Sequence, residues 1–407
     1  MKVIVFNIHG ARLDALGAYG GNLAATPHFD EFAARSTVFD QHYAEHLPGL
    51  SEDSRDPGVE LQEDLLELLT ARLITDGGSC ALFADQRVMD APGFAANWKQ
   101  SSIVMEQDLS ILSQPTLSDA VLQQSIDWLQ DYGQAYSRWL LQIELGALLP
   151  DWREEEYHPP RATDEPAEET QEPNYHWKAE AETPAPERFG WRAAYGGVVR
   201  YLDDLFGQFL KLLQELELMD ECTILVQSPW GQPLGEYGPT PNRPQGIFEE
   251  RVHLPLLIKF PRGAGAGKRV HHFTQPRDVL STQFQLLTGT PCETLQADNL
   301  YRYTQAQAGR FREYAISTLY ADDSLLEASI RAKHWSLTVP FSSLLDKPIQ
   351  LYRKPEDRWD MNNVAKEHLD VAEHLELTLH RYLHWLQQGS CGEIPSLRNE
   401  VVQVLAQ

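Results

Sequence analysis

The stretch VIVFNIHGARLDALGAYGG, residues 3–21, decides the fold expected of this chain. Residues 3–8 are apolar apart from Asn7, which predicts a buried strand of a parallel sheet. The strand runs directly into a polar turn that holds His9 and Gly10. Because open α/β sheets bind their ligands at the carboxyl ends of their strands, a functional site is expected at this turn. His9 and Gly10 either take part in chemistry there or mark a place where chemistry has been lost.

The composition describes an acidic globular chain. Its 407 residues are 42% hydrophobic, which suffices for one large core with a smaller appended one. The chain has 34 basic and 59 acidic residues and a formal net charge of −25. That charge repels the phosphates of nucleic acids and anionic membranes, so neither is an expected partner. The composition does not define a protein or small-molecule partner, or an oligomeric state.

The cysteines and the apolar runs indicate the cellular compartment expected for the protein. Cys80, Cys222, Cys292 and Cys391 are far apart and form no CxxC pair, which predicts buried thiols in a reducing compartment. No apolar stretch with the pattern of a secretory signal precedes the first strand. No apolar run approaches the length of about 18 residues that a membrane helix needs. We therefore expect a soluble cytoplasmic protein.

Helical and strand patterns alternate along the first 310 residues, which predicts an α/β domain with a mostly parallel sheet. The predicted helices are 26–36, 59–74, 117–133 and 198–218, and the predicted strands after the first are 79–84, 138–145, 222–228 and 254–260.

Two segments depart from this alternation. Residues 151–188 hold twelve acidic residues, four basic residues and six prolines, which predicts a flexible surface insertion. After residue 310, strand-like stretches, a loop over 350–365 and an amphipathic helix over 368–388 predict a small α+β subdomain. The expected domains are therefore 1–310, including the insertion, and 311–407.

Several motifs, taken in order, carry a resemblance to a known family. They are RLDALGAYGG (12–21), TPHFDEFAARSTVFDQHYA (26–44), YLDDLFGQFLKLLQELELMDECTILVQS (201–228), GQPLGEYG (231–238), GIFEERVHLPLLIKFPRG (246–263), IRAKHWSL (330–337) and LYRKPEDRWDMNNVA (351–365). Through them the chain resembles sulfatases of the alkaline-phosphatase superfamily over nearly its whole length. The resemblance implies an alkaline-phosphatase-like fold, with a mostly parallel sheet flanked by helices and a small C-terminal α+β subdomain. It also implies hydrolysis of sulfate or phosphate esters, to be judged at the site itself.

At the metal site this chain departs from the family pattern. The resemblance implies that the first strand delivers two aspartates to a calcium or magnesium ion, and these positions are His9 and Gly10 here. A later Asp-His or Asp-Asn pair falls on Pro229 and Trp230. Calcium and magnesium prefer carboxylate and other oxygen ligands, and these four side chains offer none. No metal cofactor is therefore expected, and Trp230 is expected to fill the ion cavity.

The positions that would hold the anionic substrate also differ. The resemblance implies a lysine and a histidine after the second strand, and Asp85 and Arg87 stand there. Replacing lysine by aspartate reverses the local charge and disfavours a sulfate or phosphate group. Two further family histidines fall on Leu148 and Tyr237.

The nucleophile motif survives only in part. The family places a cysteine or serine in a Cys/Ser-x-Pro/Ala-x-Arg context, matured to formylglycine, and Ser51 and Arg55 keep that spacing. Asp53 occupies the Pro/Ala position, and the helix that normally supports the nucleophile is expected to be shortened at its N-terminus. A serine without a base or metal is a weak nucleophile, so Ser51 and Arg55 are interpreted as vestigial.

Three functions remain open from the sequence. The first is an inactive sulfatase-like protein, a pseudoenzyme, with a binding or regulatory role. The second is an active ester hydrolase that uses Ser51, Arg55 and an unusual calcium or magnesium site including His9. The third is an oligomeric scaffold whose acidic segment 151–188 recruits a basic partner. The spacing of His42 and His46 would also allow zinc binding on one helix face, although surface or loop histidines are the simpler interpretation.

Overall fold

In the computed structural model the described residues are 1–47, 57–88, 96–112, 116–149, 185–234, 246–292, 296–305, 312–321, 324–343, 347–388 and 393–397. The predicted nucleophile residues Ser51 and Arg55, most of the predicted insertion, Tyr237 and Cys391 lie outside this set.

The strands, in chain order, are β1 (Lys2–Ile8), β2 (Thr37–Tyr43), β3 (His46–Leu47), β4 (Ser79–Asp85), β5 (Gln100–Val104), β6 (Trp139–Leu145), β7 (Cys222–Gln227), β8 (His253–Leu254), β9 (Leu256–Lys259), β10 (Arg269–Thr274), β11 (Tyr314–Ala321), β12 (Ser324–Ala332), β13 (Trp335–Pro340) and β14 (Gln350–Arg353). The helices are α1 (Pro27–Ala34), α2 (Pro57–Thr75), α3 (Leu109–Leu112), α4 (Leu117–Tyr132), α5 (Ala185–Glu215), α6 (Glu249–Val252), α7 (Pro276–Thr288) and α8 (Leu369–Gln387).

The larger sheet has nine strands in the order β10-β2-β9-β7-β1-β6-β4-β5, and β8 pairs with β2. Strand β1 lies at its centre, parallel to both β6 and β7. Strand β9 runs antiparallel to β2 and β7, so the sheet is mixed but mostly parallel. The predicted α/β fold class is therefore confirmed.

Helices cover both faces of the larger sheet, so its central strands are buried on both sides. Phe6 and Ile8 of β1 pack with Phe206 of α5 in one core, whereas the alternate residues Val3 and Val5 belong to a second core. Helices α1, α4 and α5 contribute to the first core, and α2 and α7 contribute to the second. This burial on both faces explains why residues 3–8 form an almost continuous apolar run.

The smaller sheet has the order β14-β13-β12-β11-β3, and α8 packs against it. Its strands from β11 to β14 are antiparallel, whereas the short strand β3 runs parallel to β11. Because β3 comes from residues 46–47, the early part of the chain contributes to the C-terminal sheet. The division into domains at residue 310 stays a prediction.

Several elements differ from the expectations, and β5, β10 and α7 were not predicted. Residues 37–43 form a strand that was not predicted, although their β-branched and aromatic residues favour one. Helix α5 begins at Ala185 and takes in the last four residues of the predicted insertion 151–188. Residues 350–353, predicted as part of a loop, form β14, where Leu351 and Tyr352 are buried.

The described cysteines, Cys80, Cys222 and Cys292, are buried free thiols, as predicted. Burial raises the pKa of Cys222 to about 12, so this thiol is unreactive. Within the described parts of the chain, no helix combines the length and the apolar character needed to cross a bilayer.

Candidate functional site

The site is built around a buried pair formed by His9 and Glu144. Strand β1 ends at Ile8 and so places His9 just beyond the edge of the sheet. Its Nε2 atom lies 2.5 Å from Oε2 of Glu144, which is near the end of the neighbouring strand β6. Both side chains are almost fully buried, with exposed fractions of 1% and 2%. The hydrogen-bonded face of the imidazole is therefore shielded from solvent.

Two further side chains donate to Glu144. Asn7 Nδ2 and Gln142 Nε2 lie 2.5 and 2.6 Å from Oε1 of the carboxylate. Together with His9, they give the carboxylate three polar partners in a buried environment. A buried carboxylate needs such partners because it has lost its hydration. Nδ1 of His9 is also buried, and it has no hydrogen-bond partner among the described residues.

Sequence reasoning missed Glu144, Asn7 and Gln142. The available signal was a carboxylate inside the otherwise apolar stretch WLLQIEL (139–145). The parallel register opposes Asn7 to Glu144, two residues that are far apart in the sequence. That register could not be predicted from local patterns.

Trp230 lies against His9. The two ring centroids are 4.9 Å apart with an interplanar angle of 79°, an edge-to-face arrangement that aromatic rings favour. Trp230 is half-buried and also packs on the apolar cluster that includes Tyr43 and Ile247. The half-buried Pro229 precedes it and offers no ligand atom. The sequence predicted Trp230 to be a neighbour of His9, and the structure places it there.

Backbone bonds fix the turn at Gly10. Its N–H donates to the carbonyl of Trp230 at 3.1 Å, and its carbonyl accepts from Gln232 N at 3.0 Å and from the Tyr195 hydroxyl at 2.9 Å. Its φ of +84° lies in the left-handed region that favours glycine. A Cβ atom here would meet the carbonyl oxygen of Leu148 at 3.1 Å. Position 10 therefore accommodates a side chain only at a cost in strain.

These residues do not fit a calcium or magnesium ion. Such an ion takes about six to eight oxygen ligands for calcium and an octahedral set for magnesium, mostly carboxylates and carbonyls. Of the expected ligand positions, Gly10, Pro229 and Trp230 supply no ligand side chain, and the Nε2 atom of His9 is occupied by Glu144. The oxygens of Glu144 are in turn engaged by three nitrogen atoms.

Asp85 and Arg87 pair with each other. Nε and Nη2 of Arg87 lie 3.2 and 3.1 Å from Oδ1 and Oδ2 of Asp85. The Asp85 side chain is fully buried, and the Arg87 side chain is 13% exposed. The carboxylate compensates the guanidinium, so this pair supplies no net positive charge for an anionic substrate.

The structure contradicts the alternative in which His42 and His46 share a helix face and bind zinc. His42 lies on β2 and hydrogen-bonds Thr274, whereas His46 lies on β3 of the other sheet and hydrogen-bonds Thr318. His42 is buried rather than a surface histidine, and burial lowers its pKa to about 3. His42 is therefore a neutral core residue, not a zinc ligand.

One other group among the described residues brings three potential ligands together: His28, Asp203 and Asp204. The two oxygens of Asp203 accept the backbone N–H groups of His28 and Phe29 at 3.1 and 2.8 Å. These donors belong to the first turn of α1, so Asp203 caps that helix and has a structural role.

The architecture is that of an alkaline-phosphatase-like α/β protein with a C-terminal sheet subdomain. The family model described as Sulfatase matches residues 78–290, more than half of the chain. The chain belongs to the sulfatase family.

Individual relatives agree with this assignment. N-acetylgalactosamine-6-sulfatase of Homo sapiens is 29% identical over 157 residues, which cover 36% of this chain and 30% of that protein. The phosphonate monoester hydrolase of Agrobacterium radiobacter superposes with a TM-score of 0.70 at 18% identity, covering 95% of this chain and 96% of its own. A protein solved with its substrate D-glucosamine-2-N,6-O-disulfate gives a TM-score of 0.71 at 16% identity, covering 97% and 99%. The human match spans under a third of that relative's length, and the two structures show a shared fold.

Proposed function

We propose that this chain is a pseudoenzyme: a sulfatase-family protein without ester hydrolase activity, kept for a binding or regulatory role. The turn at Gly10 carries the proposal. There the backbone is fixed by three hydrogen bonds and has a positive φ, and a Cβ atom would lie 3.1 Å from the carbonyl oxygen of Leu148, so a carboxylate side chain fits only with strain. A side-chain metal ligand at this position would strain the turn or displace its neighbours.

The neighbouring residues support the same conclusion. His9 is buried and engaged by Glu144, and the indole of Trp230 lies against its ring. The Asp85 carboxylate stands where a lysine would attract the anionic group of a substrate. Loss of a single preorganised donor costs roughly 10²–10³ in rate in enzymes that stabilise an oxyanion. Loss of the ion and the cationic contacts together should leave no turnover above background.

The direct test is metal content and turnover of the purified full chain. We expect less than stoichiometric calcium, magnesium and zinc by elemental analysis, and no hydrolysis of 4-nitrophenyl sulfate, 4-nitrophenyl phosphate or a phosphonate monoester. An active phosphonate monoester hydrolase measured in the same assay serves as the positive control. Stoichiometric metal with turnover that chelation abolishes would overturn the proposal.

The alternative is an active hydrolase that uses Ser51 and Arg55. One observation favours it: α2 begins at Pro57, two residues after Arg55, so a helix N-terminus follows the motif where a shortened one was expected. The bond between His9 Nε2 and Glu144 speaks against a share of His9 in an ion site. If any hydrolysis is found, Ser51→Ala discriminates the two: the alternative requires loss of that activity, whereas a trace contaminant is unaffected.

A further inference from the structure

The carboxylate of Asp85 is the centre of a second buried polar cluster. It stands at the last residue of β4 and is fully buried. In addition to the guanidinium of Arg87, it accepts the backbone N–H of Arg87 at 2.9 Å and that of Gly146 at 2.7 Å. The carboxylate thus receives four N–H donors, two from the backbone and two from one side chain.

The donors are matched to the two oxygens. Oδ1 accepts the backbone N–H and the Nε–H of Arg87, whereas Oδ2 accepts the N–H of Gly146 and an Nη2–H of Arg87. Each oxygen therefore has one backbone donor and one guanidinium donor. Bidentate guanidinium contacts of this kind are among the strongest that proteins offer to carboxylates and other oxyanions.

The backbone is shaped around this anion at Gly146. A Cβ atom there would lie 2.8 Å from Oδ1 of Asp85 and 2.8 Å from Cβ of Arg87. Only glycine lets the chain approach closely enough for its N–H to reach the carboxylate. Gly146 follows β6 and Asp85 ends β4, so the cluster lies at the carboxyl edge of the sheet.

We propose that the N–H groups of Arg87 and Gly146 and the guanidinium of Arg87 form an anion nest, which the protein fills with its own Asp85. The carboxylate of Asp85 takes the place of an external anion and so excludes small oxyanions. Without it, the nest has one positive charge and two backbone donors, a combination suited to sulfate or a small carboxylate. The inference extends the proposed function, since it assigns the anion-binding part of an inactive site to an internal residue.

The test is anion binding by Asp85→Ala in the full chain. The melting temperature is measured against sodium sulfate or sodium formate, with sodium chloride at matched ionic strength. We expect a saturable rise for Asp85→Ala with sulfate and formate but not with chloride, because a ligand that binds only the folded state stabilises it. The wild type should show no such rise, and adding Arg87→Met to Asp85→Ala should abolish it.

Asp14→Ala is the matched control. Asp14 also pairs with the arginine two residues away, with Arg12 Nε and Nη2 at 2.8 and 2.9 Å. Among the described residues no backbone N–H donates to Asp14, so Asp14→Ala should respond less to sulfate. An equal response in Asp14→Ala or in the wild type would overturn the inference, as would no response in Asp85→Ala.

If Asp85→Ala fails to fold, its refolding yield from urea in formate and in chloride replaces the melting test. Formate-dependent recovery supports the nest, and equal recovery in the two salts contradicts it. The outcome is separable from that of the proposed function. Turnover by the wild type would contradict the proposed function. If Asp85→Ala shows no anion response while the wild type is inactive, only the anion nest is contradicted.

Discussion

Replacing Gly10 by alanine should destabilise the protein more than the same change at another glycine with a positive φ. Gly10 has φ +84°, and a Cβ would meet the Leu148 carbonyl oxygen at 3.1 Å and its carbon at 3.3 Å. The carbonyl and the N–H of Gly10 are both bonded, so the turn cannot rotate to relieve the contact without breaking those bonds.

The expected magnitude has two parts. A left-handed conformation costs a residue with a Cβ about 1–2 kcal/mol. Forcing an additional carbon into a packed site costs about a further 1–3 kcal/mol. Gly10→Ala should therefore lower the free energy of unfolding by about 2–5 kcal/mol.

Gly20→Ala separates the two parts. Gly20 has nearly the same φ, +77°, and nothing lies within 4 Å of the position that its Cβ would take. Its substitution should cost only about 1–2 kcal/mol. The smaller entropy of the unfolded chain, which alanine brings in both variants, cancels in the comparison.

The assay is equilibrium urea unfolding of the wild type and both variants, followed by tryptophan fluorescence and circular dichroism. Equal losses for Gly10→Ala and Gly20→Ala would refute the steric argument at position 10. A Gly10→Asp variant that folds with wild-type stability and binds calcium would refute it more strongly, since a carboxylate would then fit the turn.

Further outcomes follow from the site and the core. Glu144→Ala should lower the free energy of unfolding by about 3–5 kcal/mol in urea, because it removes one partner of a buried polar cluster. Glu144→Gln keeps an acceptor and should lower it less. Equal losses in the two variants would contradict the role of the carboxylate as an acceptor. His42 has a pKa of about 3 in the folded protein, below its unfolded value. The unfolded state therefore binds the proton first, and the free energy of unfolding should fall by up to about 1.4 kcal/mol per pH unit as the pH drops from about 6 towards 3. His42→Asn should flatten that slope. An unchanged slope would contradict the assignment of the pH dependence to His42. Chelation by EDTA should leave the melting temperature unchanged, and a fall of several degrees would reveal a structural metal.

The central strand could be predicted from the sequence because its signal is local. Residues 3–8 form an apolar run that ends in a turn, and β1 occupies that place in the structure. The resemblance to sulfatases located His9, Gly10 and Trp230 together, and Trp230 does contact His9. These predictions needed only short segments of chain.

The partners of those residues could not be predicted, because they depend on strand register. Glu144 meets Asn7 and His9 through the pairing of β1 with β6, which local spacing does not encode. The sequence shows a carboxylate at position 85 but does not show that the backbone N–H of Gly146 donates to it. The i, i+4 spacing of His42 and His46 was misleading for the same reason, since the two residues belong to different sheets.

The two buried carboxylates explain why a metal site could not be restored by a single substitution. Glu144 lies near the end of β6 and Asp85 ends β4, and each carboxylate is already engaged by several N–H donors. Hard cations need free carboxylate oxygens, so those donors would have to be removed as well. An aspartate at position 9 would remove the imidazole partner of Glu144 and place a second carboxylate beside it, and like charges in a buried site oppose each other. Ion binding would therefore require changes at positions 9, 10, 229 and 230 together, with strongly non-additive effects on stability.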